Sequence, residues 1–320
     1  MSITVVGSIA YDTVKTPFGE RERMLGGAAV HFALAASFFE DVAVVGPVGD
    51  DFGEEQIAVM RSRGVDVEGI ERIAGGRTFF WHGEYGWDLN SRETIDTQLG
   101  VFEGFEPKLT AGALSSDVLF LANIQPDLQR QVRAQMPDAR FVALDSMNLW
   151  IDIARDSLVA AIAEVDCVIL NDAELRQLTG KPNLVAAARE VLSWRPARGA
   201  PGRGPSVVVA KQGEYGAALV TRESFFALPA YPLETVIDPT GAGDTFAGGF
   251  VGYIAAHPRE PLGEELLRGA MAHATVLASF NVEEFGTERI ERLQAAEIAE
   301  RIRDLHAMTQ FAGAPLALRG

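Results

Sequence analysis

Short apolar runs rich in β-branched residues recur along the chain, and stretches with helical periodicity separate them. The runs predict strands at residues 3–6, 42–45, 118–121, 141–144, 168–170 and 207–210. Each run is apolar throughout rather than alternating, which is typical of strands buried on both faces of a parallel sheet. The stretches between them predict helices at residues 28–39, 52–63, 151–164, 173–179 and 184–194. This alternation indicates an α/β protein with a mainly parallel sheet between two helical layers, a three-layer αβα fold.

Two segments depart from this rhythm. Residues 13–24 are too polar for a core strand, and residues 72–105 combine an aromatic run with a Gly/Asn/Asp-rich stretch. We predict antiparallel strands there, outside the parallel sheet, forming a small β-rich lid or an interface. The last third becomes helical at residues 242–256, 263–280 and about 295–308. We expect one domain over residues 1–310, an exposed loop at 196–205 and a loosely held tail at 311–320.

The net charge of the chain indicates which binding partners to expect and says little about the fold. The chain has 28 Lys and Arg residues against 44 Asp and Glu residues, a formal charge of −16, which repels nucleic acid and anionic lipid at long range. We therefore expect no nucleic-acid or membrane partner. The beginning of the chain lacks an export signal, and no stretch approaches the ~18 apolar residues of a membrane span, so we predict a cytoplasmic protein. The one cysteine, Cys167, lies in an apolar run and is expected in the core.

The strongest chemical signal is the segment Asp238-Pro239-Thr240-Gly241-Ala242-Gly243-Asp244, between a strand-like run and an apolar helix of small residues. Two glycines let backbone N–H groups converge, and a helix N-terminus favours the negative charge that develops on a phosphoryl group. Asp244 in the first turn is placed to accept a proton from an attacking hydroxyl. The alternative is structural: Asp238 or Thr240 caps the helix, and Asp244 complements its dipole. The combination of strand, double-glycine turn, acid and helix favours the catalytic interpretation over the structural one.

This segment resembles the signature of the ribokinase (PfkB) family of carbohydrate and nucleoside kinases, usually Asp-Thr-Thr-Gly-Ala-Gly-Asp, from which only Pro239 departs. The resemblance runs from residue 3 to about residue 300 and implies a ribokinase-like fold and ATP-dependent phosphorylation of an alcohol. It implies that Asp244 is the catalytic base and that Gly241, Ala242 and Gly243 form an anion hole. In several members the acid and threonine matching Asp238 and Thr240 help a monovalent cation, such as K⁺, to order the turn. The partner stretch at 279–286 lacks the usual glycine and small residues, which leaves cation dependence open.

Two further segments are assigned to ATP. Asn171 and Glu174 follow a strand and open a helix, where capping alone explains their types. The family carries an Asn-x-x-Glu element there that organises Mg²⁺ and its water around the phosphates, which implies that Glu174 serves the metal through water. Gly213 and Gly216 resemble the family's Gly-x-x-Gly turn beside the nucleotide, although a plain hairpin turn fits them too. Lys211 is within reach of a phosphate, and Thr240 is also assigned to the nucleotide.

The acceptor side is assigned by the same resemblance. Asp12 resembles the acid that binds substrate hydroxyls, and Gly26 and Gly27 resemble the opening of the Gly-Gly-x-x-x-Asn element, in which His31 replaces the usual asparagine. Asp145 resembles the Asp-x-Asn element of some sugar kinases, with one residue more in its spacing. Asn123 ends another strand and is a further pocket residue.

The acceptor is interpreted as a sugar or sugar-like molecule, with a nucleoside as the alternative. Family members often dimerise through the lid, so a homodimer is expected. Two other classes compete. A dinucleotide-dependent oxidoreductase lacks the required Gly-x-Gly-x-x-Gly turn after the first strand, and a silent sugar- or nucleoside-binding protein would not need the complete turn or Glu174.

Overall fold

Nine strands form the main sheet, in the order β13-β12-β11-β10-β9-β8-β1-β4-β5. The structure is a computed structural model that describes residues 2–310. Along the chain the strands of this sheet are β1 (Ser2–Val6), β4 (Asp41–Val48), β5 (Asp66–Arg72), β8 (Val118–Leu121), β9 (Phe141–Leu144), β10 (Cys167–Asn171), β11 (Val207–Lys211), β12 (Ala217–Val220) and β13 (Phe225–Leu228). Neighbours from β5 to β11 pair in parallel, and β12 and β13 add an antiparallel edge. The mainly parallel sheet is therefore confirmed.

Helices cover both faces of this sheet, and each face has its own apolar core. They are α1 (Ala28–Ala36), α2 (Glu54–Ser62), α3 (Ala111–Leu114), α4 (Pro126–Gln135), α5 (Asn148–Ile153), α6 (Arg155–Ala163), α7 (Asp172–Thr179), α8 (Leu184–Ser193), α9 (Ala242–Ala256), α10 (Glu264–Asn281), α11 (Glu288–Arg292) and α12 (Ala295–Thr309). No helix within residues 2–310 is long and apolar enough to cross a membrane. Cys167 is buried in β10, as expected.

A second, four-stranded sheet is built from the two polar segments that interrupt the strand–helix rhythm. Its strands are β2 (Ala10–Thr16), β3 (Gly19–Gly26), β6 (Phe79–Tyr85) and β7 (Arg92–Gln98), in the order β3-β2-β6-β7. The pairs β2–β3 and β6–β7 are antiparallel, as expected, whereas β2 and β6 pair in parallel. The two antiparallel hairpins thus join through a parallel contact, which the sequence did not predict.

Other details differ from the sequence prediction, which also lacked α4 and β13. The helix expected at residues 151–164 is broken at Ala154, whose φ of −142° and ψ of 34° end α5 and begin α6. Strand β5 was missed because its sequence, DVEGIER, is polar and it lies at the sheet edge. The tail predicted at 311–320 lies outside the described residues.

Helix α9 is held close to its neighbours because its small residues admit them. A Cβ on Gly248 would lie 2.4 Å from the carbonyl oxygen of Phe32 in α1, and one on Gly249 would lie 2.9 Å from Cα of Ala274 in α10. Glycine at these two positions therefore lets α9 pack between α1 and α10. This packing fixes the start of α9, where the predicted catalytic turn lies.

Candidate active site

The predicted nucleotide and phosphate residues meet at the carboxyl edge of the main sheet, where α/β proteins commonly bind ligands. Lys211 is the last residue of β11, Asn171 the last of β10, and Asp145 directly follows β9. Asp244 lies in the first turn of α9. The parallel arrangement of strands brings these side chains together although they are distant in sequence.

The turn before α9 has the geometry that its glycines permit. Gly241 is the N-cap of the helix with φ of 74°, a left-handed conformation that glycine adopts without strain. Helix α9 begins at Ala242, and the N–H of Ala242 donates to the carbonyl oxygen of Pro239 at 3.3 Å, whereas the N–H groups of Gly241 and Gly243 have no partner within residues 2–310. Gly243 lies directly beside Lys211, since a Cβ there would be 2.9 Å from Nζ. The turn therefore presents the N–H groups of its two glycines next to an ammonium group, an arrangement suited to a phosphate.

Three carboxylates and one ammonium share this edge. The Lys211 Nζ forms a 2.8 Å ion pair with Oδ2 of Asp145, and both groups are largely buried. Within residues 2–310, neither Asp244 nor Glu174 has an ion-pair partner within 4 Å. The carboxylate predicted as the base is thus left without a cation of its own.

The electrostatics of these groups suit proton transfer. Burial raises the pKa of Asp244 to about 7; repulsion from Asp145 adds to this, and attraction to Lys211 opposes it. The same influences, with burial the largest, raise the pKa of Glu174 to about 7. A carboxylate whose pKa lies near neutrality can both accept a proton from a hydroxyl and release it afterwards.

Asn171 and Glu174 form a complete capping box at the start of α7. The Glu174 N–H donates to Oδ1 of Asn171 at 2.7 Å, and the Asn171 N–H donates to Oε2 of Glu174 at 2.8 Å. The capping interpretation is therefore confirmed, and it leaves Oε1 of Glu174 for another role. In the described part of the chain, no three His, Cys, Asp or Glu side chains are grouped to hold a metal ion. A hydrated Mg²⁺, which needs few carboxylates, fits one free carboxylate oxygen better than a direct protein cage would.

Gly213 and Gly216 form the hairpin turn between β11 and β12, with φ of 57° and 99°. The plain hairpin interpretation is thus correct, and the nucleotide role stays a prediction. A contact missed from the sequence reaches this turn from the four-stranded sheet: Nδ2 of Asn90, between β6 and β7, donates to Oε1 of Glu214 at 2.9 Å.

Asp12, Gly26, Gly27 and His31 come from the four-stranded sheet and α1, whereas Asn123 and Asp145 follow β8 and β9 of the main sheet. Asp12 in β2 is buried, and Gly26 lies so close to it that a Cβ would be 2.0 Å from its Oδ2. Burial raises the pKa of Asp12 to about 7; the N–H of Gly27 stabilises the charged form, and the charges of Asp238 and Asp244 oppose it. Asp12 therefore lies close enough to the turn before α9 for the carboxylates of Asp238 and Asp244 to raise its pKa.

Three predicted acceptor residues have protein partners of their own, and one of them is Asp145, the ion-pair partner of Lys211. Asn123 is half-buried and accepts a 3.0 Å hydrogen bond from Nε1 of Trp150. His31 is 2% exposed, and its ring lies against Gly241, where a Cβ would be 2.3 Å from Nδ1. Their contact with a substrate stays a prediction.

Sequence reasoning missed three residues that the fold brings to the turn. Tyr85, the last residue of β6, has its hydroxyl 3.2 Å from Oγ1 of Thr240. Arg92, the first residue of β7, lies close enough to Tyr85 for its charge to oppose the rise that burial causes in the pKa of the Tyr85 hydroxyl. Asn281, the last residue of α10, donates from Nδ2 to the carbonyl oxygen of Thr240 at 2.7 Å. None lies in a motif, and only their long-range contacts reveal them.

Comparison with known proteins decides the family. The sequence profile of the pfkB family carbohydrate kinases matches residues 2–292. This chain belongs to the pfkB family. It is 30% identical over 268 residues to a cytidine kinase of Thermococcus kodakarensis, covering 81% of this chain and 91% of that protein. It is 27% identical to a fructokinase of Klebsiella pneumoniae, covering 80% of this chain and 85% of the other.

Solved structures confirm the fold of this pfkB-family kinase. The Burkholderia thailandensis nucleoside kinase in complex with inosine superposes with a TM-score of 0.77, covering 95% of this chain and 99% of that chain at 19% identity. The predicted family, the ribokinase-like fold and the ATP-dependent kinase with an alcohol acceptor are all confirmed. The individual site residues and the metal ions stay predictions.

Proposed function

We propose that this pfkB-family kinase transfers the γ-phosphoryl group of ATP to a hydroxyl group of a sugar or sugar-like molecule, with Asp244 as the base. The observation that carries the proposal is the position of Asp244. Its carboxylate has a pKa of about 7, lacks an ion-pair partner among residues 2–310, and follows a turn in which the N–H groups of Gly241 and Gly243 have no partner among those residues. A base and an anion hole in one turn meet the main needs of phosphoryl transfer.

In this mechanism Asp12 accepts hydrogen bonds from the acceptor and orients it. Asp244 takes the proton of the acceptor hydroxyl while the oxygen of that hydroxyl forms a bond to the γ-phosphorus of ATP. The bond between the γ-phosphorus and the β-γ bridging oxygen breaks at the same time, and ADP is released. The N–H groups of Gly241 and Gly243 stabilise the charge on the phosphoryl oxygens, and Lys211 adds a positive charge beside them. Mg²⁺, held through water by Glu174, would neutralise charge on the phosphates.

A nucleoside is the second acceptor class. The relative that is 30% identical over 81% of this chain is a cytidine kinase, whereas the fructokinase is 27% identical. Both acceptors offer ring hydroxyls to Asp12. Part of this kinase's acceptor pocket therefore serves either class, and the base of a nucleoside would need additional contacts.

The test is ADP release with Mg·ATP and a panel of pentoses, hexoses, sugar phosphates and nucleosides, followed by mass spectrometry of the phosphorylated product. We expect one acceptor class to raise turnover well above the ATPase background. In Asp244→Asn, turnover with that acceptor should fall about 10³-fold, since general bases contribute roughly 10² to 10⁴, while binding of a non-hydrolysable ATP analogue persists. A matched control is Glu265→Gln, which removes a first-turn acid from α10. Near-normal turnover in Asp244→Asn, or an equal loss in the control, would contradict the assignment.

We also propose that the four-stranded sheet is a lid and that it mediates a homodimer. The hydrogen bonds from Asn90 to Glu214 and from Thr240 to Tyr85 support the lid, because they tie the sheet to both sides of the site. All seven residues of β7 are exposed, which supports a surface that another subunit covers.

A further inference from the structure

A buried hydrogen-bond network contacts the turn before α9. It joins His31 of α1, Asn281 of α10, Thr245 of α9 and the backbone of Thr240. Asn281 and Thr245 are 0% exposed and His31 is 2% exposed. Three helices are therefore tied together at the point where the turn enters α9.

The hydrogen bonds fix the orientation of each group. Nδ2 of Asn281 donates to the carbonyl oxygen of Thr240 at 2.7 Å; a carbonyl only accepts, so the amide can be placed in one way. Oδ1 of Asn281 then accepts from Oγ1 of Thr245 at 2.9 Å and faces Nδ1 of His31 at 3.1 Å. Because Oδ1 is an acceptor, Nδ1 of His31 must carry a proton.

The His31 ring is therefore neutral, with its proton on Nδ1 and a bare Nε2. Burial lowers the pKa of His31 to about 4, although the bond to Asn281 opposes this, so the ring is uncharged near neutral pH. Nε2 is buried and has no hydrogen-bond partner. The ring also fills the space beneath Gly241, where a Cβ would lie 2.3 Å from Nδ1 and from Cε1. His31 thus supports the turn both by contact and by hydrogen bonding.

The oxygens expected to bind a monovalent cation are engaged by protein donors. Oδ1 of Asp238 accepts the N–H of Thr240 at 2.8 Å, and Oδ2 accepts the N–H of Gly286 at 3.0 Å. The Thr240 carbonyl accepts from Asn281, and the Val282 carbonyl accepts from Ile237 at 2.8 Å. These N–H groups carry partial positive charge and point at the oxygens that a cation would need. Protein donors therefore already hold the Asp238 carboxylate and the Thr240 carbonyl in place without a cation.

We propose that the His31–Asn281–Thr245 network, and not a monovalent cation, orders the anion-hole turn. In this role Asn281 and His31 are positioning residues: they act through Thr240 and Gly241. The same role explains why histidine occupies the position of the family's usual asparagine, because its longer side chain reaches Asn281. The proposal rests on the proposed function only where turnover is measured.

Two measurements test the network without any phosphotransfer. The side-chain ¹⁵N spectrum of His31, assigned by comparison with His31→Gln, should show the Nδ1–H neutral tautomer from pH 6 to pH 8. The Tm should be the same in potassium chloride and in tetramethylammonium chloride at equal ionic strength. An Nε2–H tautomer, or a Tm that rises with potassium alone, would overturn the proposal.

Turnover provides the third measurement. Asn281→Leu should lower kcat about 10²-fold, the cost of losing one well-aligned stabilising group, with the acceptor KM nearly unchanged. His31→Phe/Asn281→Leu should be no worse than Asn281→Leu alone, because the two residues act as a unit. The control is Thr275→Val, which removes a buried hydroxyl without a partner from the same helix and should leave kcat unchanged.

The outcomes separate the two proposals. An inactive wild-type protein with the Nδ1–H tautomer and a potassium-independent Tm would contradict the proposed function and support the network. An active enzyme whose kcat rises tenfold or more with potassium over tetramethylammonium would support the function and contradict the network. Additive losses in the double variant, or a loss confined to the acceptor KM, would also contradict the network.

Discussion

Asp244, the base that we propose, has a carboxylate whose pKa lies near neutrality. Burial and repulsion from Asp145 raise its pKa to about 7, and the ammonium of Lys211 limits that rise. Lys211 bonds to Asp145 rather than to Asp244. The charge that keeps the base ionised is therefore nearby without neutralising it.

The pH dependence of turnover follows from this arrangement. Asp244 acts as a base only when it is deprotonated, so kcat/KM should fall as the pH drops through about 7, the pKa of its carboxyl group. In Lys211→Met the attraction that lowers this pKa is lost and Asp145 is left unpaired, so the acid limb should move to higher pH. The measurement is kcat/KM between pH 5.5 and 9.

Lys181→Met is the control for that experiment, because Lys181 is exposed and follows the end of α7. Its pH profile should match the wild type. An acid limb in Lys211→Met that stays in place or moves to lower pH would show that Lys211 does not set the pKa of the base.

At the scale of single residues, some site residues could be predicted from the sequence and others could be identified only from the structure. Asp244, Glu174 and Lys211 were predicted from the sequence because each lies in a local pattern at the end of a strand or the start of a helix. Arg92 and Asn281 were not, because their roles depend on contacts with Tyr85 and Thr240 across the fold. The tautomer of His31 likewise depends on a partner 250 positions away in the chain.

Strand β7 brings a positive charge to the active site from the four-stranded sheet. Burial raises the pKa of both Asp244 and Glu174 to about 7, and the charge of Arg92 lowers both. Arg92 is exposed, lies 5.3 Å from the Trp81 ring centroid and has no carboxylate within 4 Å among residues 2–310. Its guanidinium is therefore available to a phosphate that arrives between the two carboxylates.

We predict that Arg92→Gln lowers kcat about 10²-fold, comparable to removing one donor that stabilises a developing charge, and changes the KM for the acceptor little. The acid limb of kcat/KM should also move to higher pH, because a charge that favours ionised Asp244 is lost. Steady-state kinetics across pH measure both effects. Glu93→Gln, the next residue on the same exposed strand, is the control. An unchanged kcat in Arg92→Gln would show that β7 contributes only structure.

Helix α9 ties the catalytic turn to the core through its glycines. We predict that Gly248→Ala lowers the free energy of unfolding by about 1–3 kcal/mol, the usual cost of overpacking, because its Cβ would lie 2.4 Å from the Phe32 carbonyl oxygen. Gly104→Ala is the control, since nothing lies within 4 Å of its Cβ position; it should stay within about 0.5 kcal/mol of wild type. Urea unfolding followed by circular dichroism measures both. Equal stabilities of the two variants would contradict close packing of α9 against α1.

At the scale of the whole molecule, the predicted strands and most helices are correct because their apolar runs and helical periodicity are local properties of the sequence. The sequence did not predict β5 or the parallel pairing of β2 with β6, since both are set by long-range contacts at polar, half-exposed strands. The same physical reason limits prediction of the assembly. A surface covered by a second subunit and a surface facing water differ little in local pattern.

The proposed homodimer is the largest-scale consequence of the four-stranded sheet. Its segments and turns carry exposed apolar side chains, with Trp87 91% and Ile95 49% exposed, and β7 is an edge strand with unpaired backbone groups. We predict that wild-type protein sediments as a dimer and that Ile95→Glu shifts it toward the monomer, because a buried carboxylate would face an apolar partner surface. Analytical ultracentrifugation over a concentration series measures the equilibrium. Leu114→Glu changes a side chain of similar exposure, 47%, in α3, outside the four-stranded sheet, and should leave the dimer intact.

Because β7 also carries Arg92, a dimer through this sheet would restrain the strand that carries the guanidinium. Ile95→Glu should therefore lower kcat as well as association. A wild-type protein that stays monomeric across the series, or an Ile95→Glu variant that dimerises normally, would contradict this assembly.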